Sequence, residues 1–294
     1  FFNLQHLGIT SGGVVDDKLY KISNYLVQNN LTTPVIEFAY QGPSLKLIRG
    51  ECRFSITGNV MFNIIKNKIK KQGICNRTYT LEEGDILDIL STIKSNYGYM
   101  SIDGGFKLSK TFGSYSTLTQ SNIGSNNGRC LLINQKIFFN KQKSKKETSI
   151  NINFNQTNST NFIRVIKGPQ MHYFSIKVLK NFFNKPFTIS NTVNRMGVRL
   201  EGNITRSLKS HDIPSEGIVK GSIQIPGNGN PIVLLNDHPT IGGYPKIANV
   251  ILSDLRKLSQ LPMGSKFYFK EVTLKEAEKI LYKNISDIKR LLRK

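Results

Sequence analysis

At 294 residues, 38% of them hydrophobic, the chain is long enough for one large or two ordinary domains with a sizeable core. Lys and Arg number 41 against 19 Asp and Glu, a net charge of +22. These cations are spread along the chain with no RNA- or DNA-binding motif, so no nucleic-acid partner is expected. No apolar run approaches the roughly 18 residues needed to cross a membrane, and no secretory leader is read. Cys52, Cys75 and Cys130 are odd in number and far apart, which excludes a disulfide framework or a zinc knuckle. They read as ordinary thiols in a reducing, cytoplasmic setting.

In chain order, Gly8 to Asp17 is a loop leading to a helix, with Asp16 as its N-cap and Leu19, Ile22 and Leu26 at helical spacing. Asp16 serves either as a cap alone or as a cap that also meets a ligand. Residues 35–90 alternate apolar and polar between turns at Gly42-Pro43, Gly58-Asn59 and Glu82-Glu83-Gly84-Asp85, the pattern of antiparallel sheet or barrel. Gly104-Gly105, after Asp103, either lets backbone approach a ligand or serves a turn. Residues 134–161 are rich in Lys, Asn, Ser and Thr, and the run Lys141 to Lys146 reads as a solvated loop or linker.

Beyond that boundary, 162–167 reads as a strand, and Gly168-Pro169-Gln170 is expected to open a helix running to about Phe183. In Asn194-Arg195-Met196-Gly197-Val198-Arg199-Leu200-Glu201-Gly202, the even spacing of Arg195, Arg199 and Glu201 places all three on one face if the segment is a strand. Such a face is either a structural ion-pair ladder or a grip for carboxylate or phosphate.

The stretch 215–250 carries the densest signals. Ser222 to Ile225 alternates as a strand, Pro226 to Pro231 is a turn cluster, and Ile232 to Leu235 is a buried strand ending in Asn236-Asp237-His238. Thr240 and Gly242-Gly243-Tyr244-Pro245-Lys246 follow. Pro245 suits a first helical position, and a glycine pair ahead of a helix offers N–H groups to an anion. On that reading Lys246 sits in the first turn of a helix and opposes its dipole. It then calls either for a ligand anion or for Glu216 as its partner. Ile251, Leu255 and Leu258 mark a helix and Lys266 to Val272 a strand. Thr273-Leu274-Lys275-Glu276 is a capping box before a basic amphipathic helix. No P-loop, dinucleotide fingerprint, paired metal histidines or nucleophile elbow is present, and of four scattered histidines only His238 lies in such a loop.

These stretches resemble the family of the 5-oxoprolinase C subunit, also known as the biotin-dependent carboxyltransferase or allophanate hydrolase subunit two family. Gly12 to Asp16 is similar to its Ser-Gly-Ala-(Met/Leu)-Asp, with Gly12 at the Ser, and Asp103 to Phe106 to its Ala-Gly-Gly-Ile. Ser114-Tyr115-Ser116-Thr117 is similar to its Gly-Ser-Arg-Ser-Thr, with Tyr115 at the Arg. Residues 190–202 resemble its Asp-Arg-Met-Gly-Tyr-Arg-Leu-Glu-Gly stretch, with Asn194 at the Asp, and 215–250 resembles its signature. The likeness runs nearly the whole chain. It implies a strand ahead of Phe1, which is not a Met. The expected fold is mostly β with a few helices, in two cyclophilin-like β-barrel halves. The halves are expected at 1–140 and 161–294, with a polar linker at 141–160.

The resemblance further implies one subunit of an ATP-dependent 5-oxoprolinase, opening the lactam 5-oxoproline to glutamate together with partners like the enzyme's B and A subunits, and inactive alone. ATP is consumed by the complex, and neither metal nor biotin is expected on this chain. Two alternatives stay open: a carboxyltransferase component of a biotin-dependent urea or amide carboxylase, and a non-catalytic antagonist of a kinase-inhibitor protein. The candidate catalytic residues are Arg195, Glu201, Asp237 and Lys246. The candidate substrate-binding residues are Asp16, Asp103, Gly104, Glu216, Gln224, Thr240, Gly242, Gly243 and Tyr244.

Overall fold

The structure, a computed structural model, describes residues 1–140, 149–153 and 161–292. The chain forms two compact units, Asp16–Thr157 and, drawn from both ends, Phe1–Val15 with Asn158–Lys294.

The unit Asp16–Thr157 opens on α1 (Asp17–Leu26), capped by Asp16, whose carboxylate accepts from the Lys18 and Leu19 N–H groups at 3.1 Å each. The strands that follow are β1 (Ile36–Ala39), β2 (Ser44–Lys46), β3 (Glu51–Thr57), β4 (Val60–Lys66), β5 (Ile69–Gln72), β6 (Arg77–Glu82), β7 (Ile86–Thr92) and β8 (Tyr97–Ile102). They form two four-stranded sheets, β1-β8-β3-β6 and β2-β7-β4-β5, antiparallel throughout. A shared core of Phe54, Ile56, Phe62, Leu87, Ile89 and Met100 fills the space between them. β3 and β8 are buried on their second face as well, because α1 covers it. That contact is polar but fully satisfied: Ser55 and Thr57 donate to the Ser23 and Leu19 carbonyls, and Ser23 bonds Ser101 at 2.7 Å. A short hairpin, β9 (Thr117–Leu118) and β10 (Ile123–Gly124), follows. Burial pushes the Cys52 thiol up to about 12, in keeping with an inert core thiol.

The second unit holds β11 (Phe162–Lys167), α2 (Ile176–Asn184), β12 (Phe187–Val193), β13 (Gly197–Glu201), β14 (Glu216–Gly217), β15 (Ser222–Gln224), β16 (Ile232–Leu234), β17 (Ile241–Gly242), β18 (Lys246–Val250), α3 (Leu252–Ser259), β19 (Lys266–Glu271) and α4 (Leu274–Leu291). Seven of its strands close a barrel, β11-β18-β15-β16-β13-β12-β19. Closure comes from the parallel pairing of β11 with β19, while the other neighbours run antiparallel. The barrel is filled by Ile163, Val165, Ile189, Val198, Leu200, Ile223, Val233 and Phe267, and by Phe182 of α2 stacked on Phe269 at 4.8 Å. β14 and β17 stand apart as a two-stranded ribbon. Thr273 and Glu276 form the reciprocal capping box at the start of α4, and none of the described helices is long and apolar enough to cross a membrane.

Residues 1–15 belong with the barrel because they bond to its loops: Thr10 Oγ1 donates to the Asn236 carbonyl at 3.0 Å. Most of the linker expected at 141–160 lies outside the described residues. Within the described part, Ile150 and Ile152 pair with Thr78 and Asn76.

Two helix assignments change. Gly168-Pro169-Gln170 does not open a long helix; a 3-10 turn at Met171–Tyr173 intervenes, and α2 begins after its N-cap Ser175. Lys246 lies in β18, not in the first turn of a helix, and α3 starts only at Leu252. Cross-barrel pairing decides the second case: β18 bonds β15 on one side and β11 on the other, satisfying its backbone as no isolated turn could.

Candidate functional site

The side chains of the barrel wall alternate between core and exterior. Ile223, Ile225 and Ile247 enter the core, so their neighbours Gln224 and Lys246, cross-strand partners in β15 and β18, face out. Both are nevertheless buried, because the β14–β17 ribbon covers them. The Lys246 ammonium is paired there with the Glu216 carboxylate of β14. The pair is lopsided: the Lys246 side chain is 5% exposed and that of Glu216 44%. Gln170 clasps both. Its Oε1 accepts from the Lys246 N–H at 3.1 Å, its own N–H donates to the Lys246 carbonyl at 3.2 Å, and its Nε2 donates to Glu216 Oε1 at 2.7 Å. The Lys246 and Gln170 bonds hold the Glu216 carboxyl below its usual range.

Gln224, 6% exposed, leaves its Nε2 donor without a partner among the described residues. Gly242 of β17 lies directly over it: a Cβ there would meet Gln224 Nε2 at 2.6 Å and Ile218 Cδ1 at 3.2 Å, so a side chain there would push the amide aside. Ammonium and carboxamide thus share one covered spot, each suited to an oxygen acceptor.

A second cluster gathers at the β16 end. Arg195, in the β12–β13 turn, grips Asp237 in a two-point pair at 2.7 and 2.9 Å, and also donates to the Gly13 carbonyl at 2.7 Å. Asn236 Nδ2 donates to the Gly12 and Val14 carbonyls at 3.1 and 2.7 Å. His238 is buried, which lowers its basicity, and its Nδ1 lies 2.6 Å from the Pro239 carbonyl oxygen. This cluster anchors residues 10–14 to the barrel. Its Arg195 guanidinium is occupied by Asp237 and the Gly13 carbonyl.

Of the residues singled out in the sequence, the ribbon brings together Glu216, Gln224, Gly242 and Lys246, with Thr240, whose carbonyl accepts from the Ile218 N–H at 3.1 Å, and Gly243, whose carbonyl accepts from the Ile213 N–H at 2.8 Å. Tyr244 is 38% exposed. Arg195 and Asp237 form the second cluster. The expected Arg195, Arg199 and Glu201 face does not exist: Arg195 precedes β13 and turns to Asp237, while Arg199 and Glu201 are exposed on the strand's outer side. Asp16, Asp103 and Gly104 fall in the other unit. There Asp16 caps α1, the Asp103 N–H donates to the Arg53 carbonyl at 2.8 Å, and the Gly104 N–H donates to Asn29 Oδ1 at 3.0 Å. Gly242 and Gly243 do not precede a helix, so the helix-start amides expected to seat an anion are not formed. Among the described residues no group of three His, Cys, Asp or Glu is placed to hold a metal ion. Sequence reasoning did not single out Gln170 or Asn236. Both lie in stretches the local pattern marked, as a helix opening and a strand end, but each acts through contacts with residues far along the chain.

The carboxyltransferase domain family, subdomains A and B, matches residues 7–271. The chain is 30% identical to the 5-oxoprolinase C subunit of Escherichia coli over 272 residues, covering 92% of this chain and 86% of that protein. It is also 30% identical to the 5-oxoprolinase C subunit of Haemophilus influenzae over 283 residues, covering 96% and 89%. The crystal structure of the K. lactis urea amidolyase shares the fold, with a TM-score of 0.87 at 24% identity over 99% of this chain and 19% of that one. With its barrel, its ribbon and a likeness spanning nearly its full length, this chain belongs to the family of carboxyltransferase-domain proteins that includes the 5-oxoprolinase C subunits.

Proposed function

We propose that the chain is one subunit of an ATP-dependent 5-oxoprolinase, which with partners like the enzyme's B and A subunits hydrolyses the lactam of 5-oxoproline to glutamate. The observation that carries this reading is the 30% identity to two 5-oxoprolinase C subunits over 86% and 89% of their lengths. The covered spot under the ribbon suits such a substrate. 5-Oxoproline presents a carboxylate and a lactam carbonyl, both acceptors, and Lys246 and Gln224 are both donors. Ring opening adds water across the lactam C–N bond, and charge develops on the carbonyl oxygen. Fixed donors in a water-poor site stabilise such charge. ATP is consumed by the complex, and no step of its hydrolysis is assigned to residues of this chain.

A second reading, carboxyl transfer to an amide, rests on the family's description as a carboxyltransferase domain. The deciding experiment is co-expression with the two partner subunits, followed by assay of glutamate formation and ATP hydrolysis with 5-oxoproline. Glutamate should form only when all subunits are present, and Lys246→Met should lower turnover by roughly a hundredfold, the usual cost of one removed charge-stabilising donor. Full turnover by the isolated chain, or no glutamate from the complete set, overturns the assignment. Carboxylation of urea by this chain with a carboxybiotin donor would favour the second reading. Binding to a partner with no turnover would favour the antagonist.

A further inference from the structure

Three features of the ribbon point the same way. The first is the asymmetry of its ion pair. Lys246 is anchored in the barrel wall and buried, whereas Glu216 comes from a two-residue strand and is nearly half exposed. In the Arg164–Asp254 pair, by contrast, the buried partner is the acid: Asp254 sits on α3 and accepts from the Arg164 side chain and from its backbone N–H at 2.8 Å, a structural tie. Glu216 has no such anchoring; among the described residues its carboxylate is held by Lys246 and Gln170 alone. The second feature is the Gln224 amide, a buried donor facing the ribbon with nothing among the described residues to accept from it. Leaving such a donor unmet is unfavourable, so the closed ribbon withholds a hydrogen bond that another molecule can supply. The third is how lightly the ribbon is tied. β14 and β17 pair over Glu216–Gly217 and Ile241–Gly242, with single flanking bonds from the Ile218 N–H to Thr240 and from the Ile213 N–H to Gly243; they join no other described strand, and Val219 and Ile241 project into solvent.

We propose that the ribbon is a flap closed over an acid-binding seat, in which Glu216 stands in for the carboxylate of a small acid. When such an acid enters, its carboxylate takes Lys246 from Glu216, and a carbonyl on the same molecule accepts from Gln224 Nε2. Gly242 gives the flap its room to close, because a side chain at 242 would strike the amide. Exchange of one carboxylate for another keeps Lys246 neutralised throughout, so the buried ammonium is never left bare. The ligand class follows from the two donors: a carboxylic acid carrying a second acceptor a few bonds away. That 5-oxoproline is the member bound rests on the function proposed above.

The test is calorimetric titration of the purified chain with 5-oxoproline and with cyclopentanecarboxylate, which keeps the ring and carboxylate but lacks the lactam. Glu216→Gln removes the internal competitor at an exposed position while leaving a neutral acceptor near Lys246. It should tighten 5-oxoproline binding about fivefold or more, the reciprocal of the competition it relieves. Gln224→Met should weaken 5-oxoproline about tenfold and leave cyclopentanecarboxylate unchanged, the signature of one lost hydrogen bond. Equal or weaker acid binding by Glu216→Gln, or no saturable binding by either form, overturns the flap. The two proposals separate cleanly. If Glu216→Gln tightens binding but the assembled complex makes no glutamate, the flap stands and the proposed enzyme falls. If glutamate forms while Glu216→Gln leaves affinity and KM unchanged, the enzyme stands and the flap falls.

Discussion

At the scale of single residues, the buried charges divide into those the fold needs and those it merely tolerates. Asp237 is largely buried and its carboxylate meets Arg195 at two points. Arg195→Ala strips that carboxylate of its partner and also frees Gly13, so it should cost about 3 kcal/mol of unfolding free energy, at the low end for a broken buried pair. Asp237→Asn in the same background should restore part of that loss. Denaturant unfolding of the single and double variants checks this, and strictly additive costs would show that the pair is not coupled. His238 gives a pH dependence of definite sign. Burial lowers its pKa from 6.5, so the folded chain holds it neutral while the unfolded chain takes up a proton. Its contribution is therefore fully present above pH 6.5 and is lost as the pH falls below that value, until the folded form is protonated too. The drop in melting temperature between pH 7 and pH 5 should be smaller in His238→Gln than in the parent chain, and an unchanged drop would assign it to other groups.

At the scale of elements, the barrel tolerates no bulk where strands cross closely. Gly168 follows β11 and lies against β18: a Cβ there would fall 2.3 Å from the Lys246 carbonyl oxygen and 2.6 Å from the Ala248 nitrogen, both backbone atoms. Backbone cannot step aside as a side-chain tip can. Gly168→Ala should therefore cost about 3 kcal/mol, at the upper end for overpacking, and shift the Lys246 strand. By contrast, a Cβ at Gly264, in the turn before β19, meets nothing within 4 Å; its cost arises from a backbone φ of +80°. Gly264→Ala should cost about 1 kcal/mol and Gly264→Asn less, because Asn accepts the left-handed conformation more readily. Thermal melts of these three variants rank the two causes, and equal losses at 168 and 264 would refute the steric reading.

At the scale of the whole molecule, the net charge of +22 is the dominant long-range term. Like charges repel most in the compact state, and salt screens them within a Debye length of about 10 Å at 0.1 M. The melting temperature should therefore rise by several degrees as sodium chloride increases from about 20 to 200 mM, and a fall would mean that ion pairs such as Arg164–Asp254 outweigh the repulsion.

Much of this organisation was legible locally. Asp16 and Thr273 cap helices through bonds to residues two or three positions on; alternation marked β3, β4, β15 and β19, and an unbroken apolar run marked β16, because each pattern is a property of the strand by itself. The association of Glu216 with Lys246 was also in view as a pairing of charges. What the sequence could not decide was the setting of that pair. The Gly-Gly-Tyr-Pro-Lys run followed by spaced apolar residues fits a helix start as well as it fits a turn into a strand. The choice is made by hydrogen bonds from Lys246–Val250 to β15 and β11, some 20 and 80 residues away along the chain. For the same reason the two-residue spacing of Arg199 and Glu201 was right, and the face they were expected to share with Arg195 is not formed. The strand alternates as read, but which face meets core and which meets water is set by barrel closure. Local rules marked many of the strands and caps; only the closing of the barrel determined that Lys246 lies in a strand and that it and Gln224 face outward beneath a ribbon, because burial of an outer face depends on what the fold lays over it.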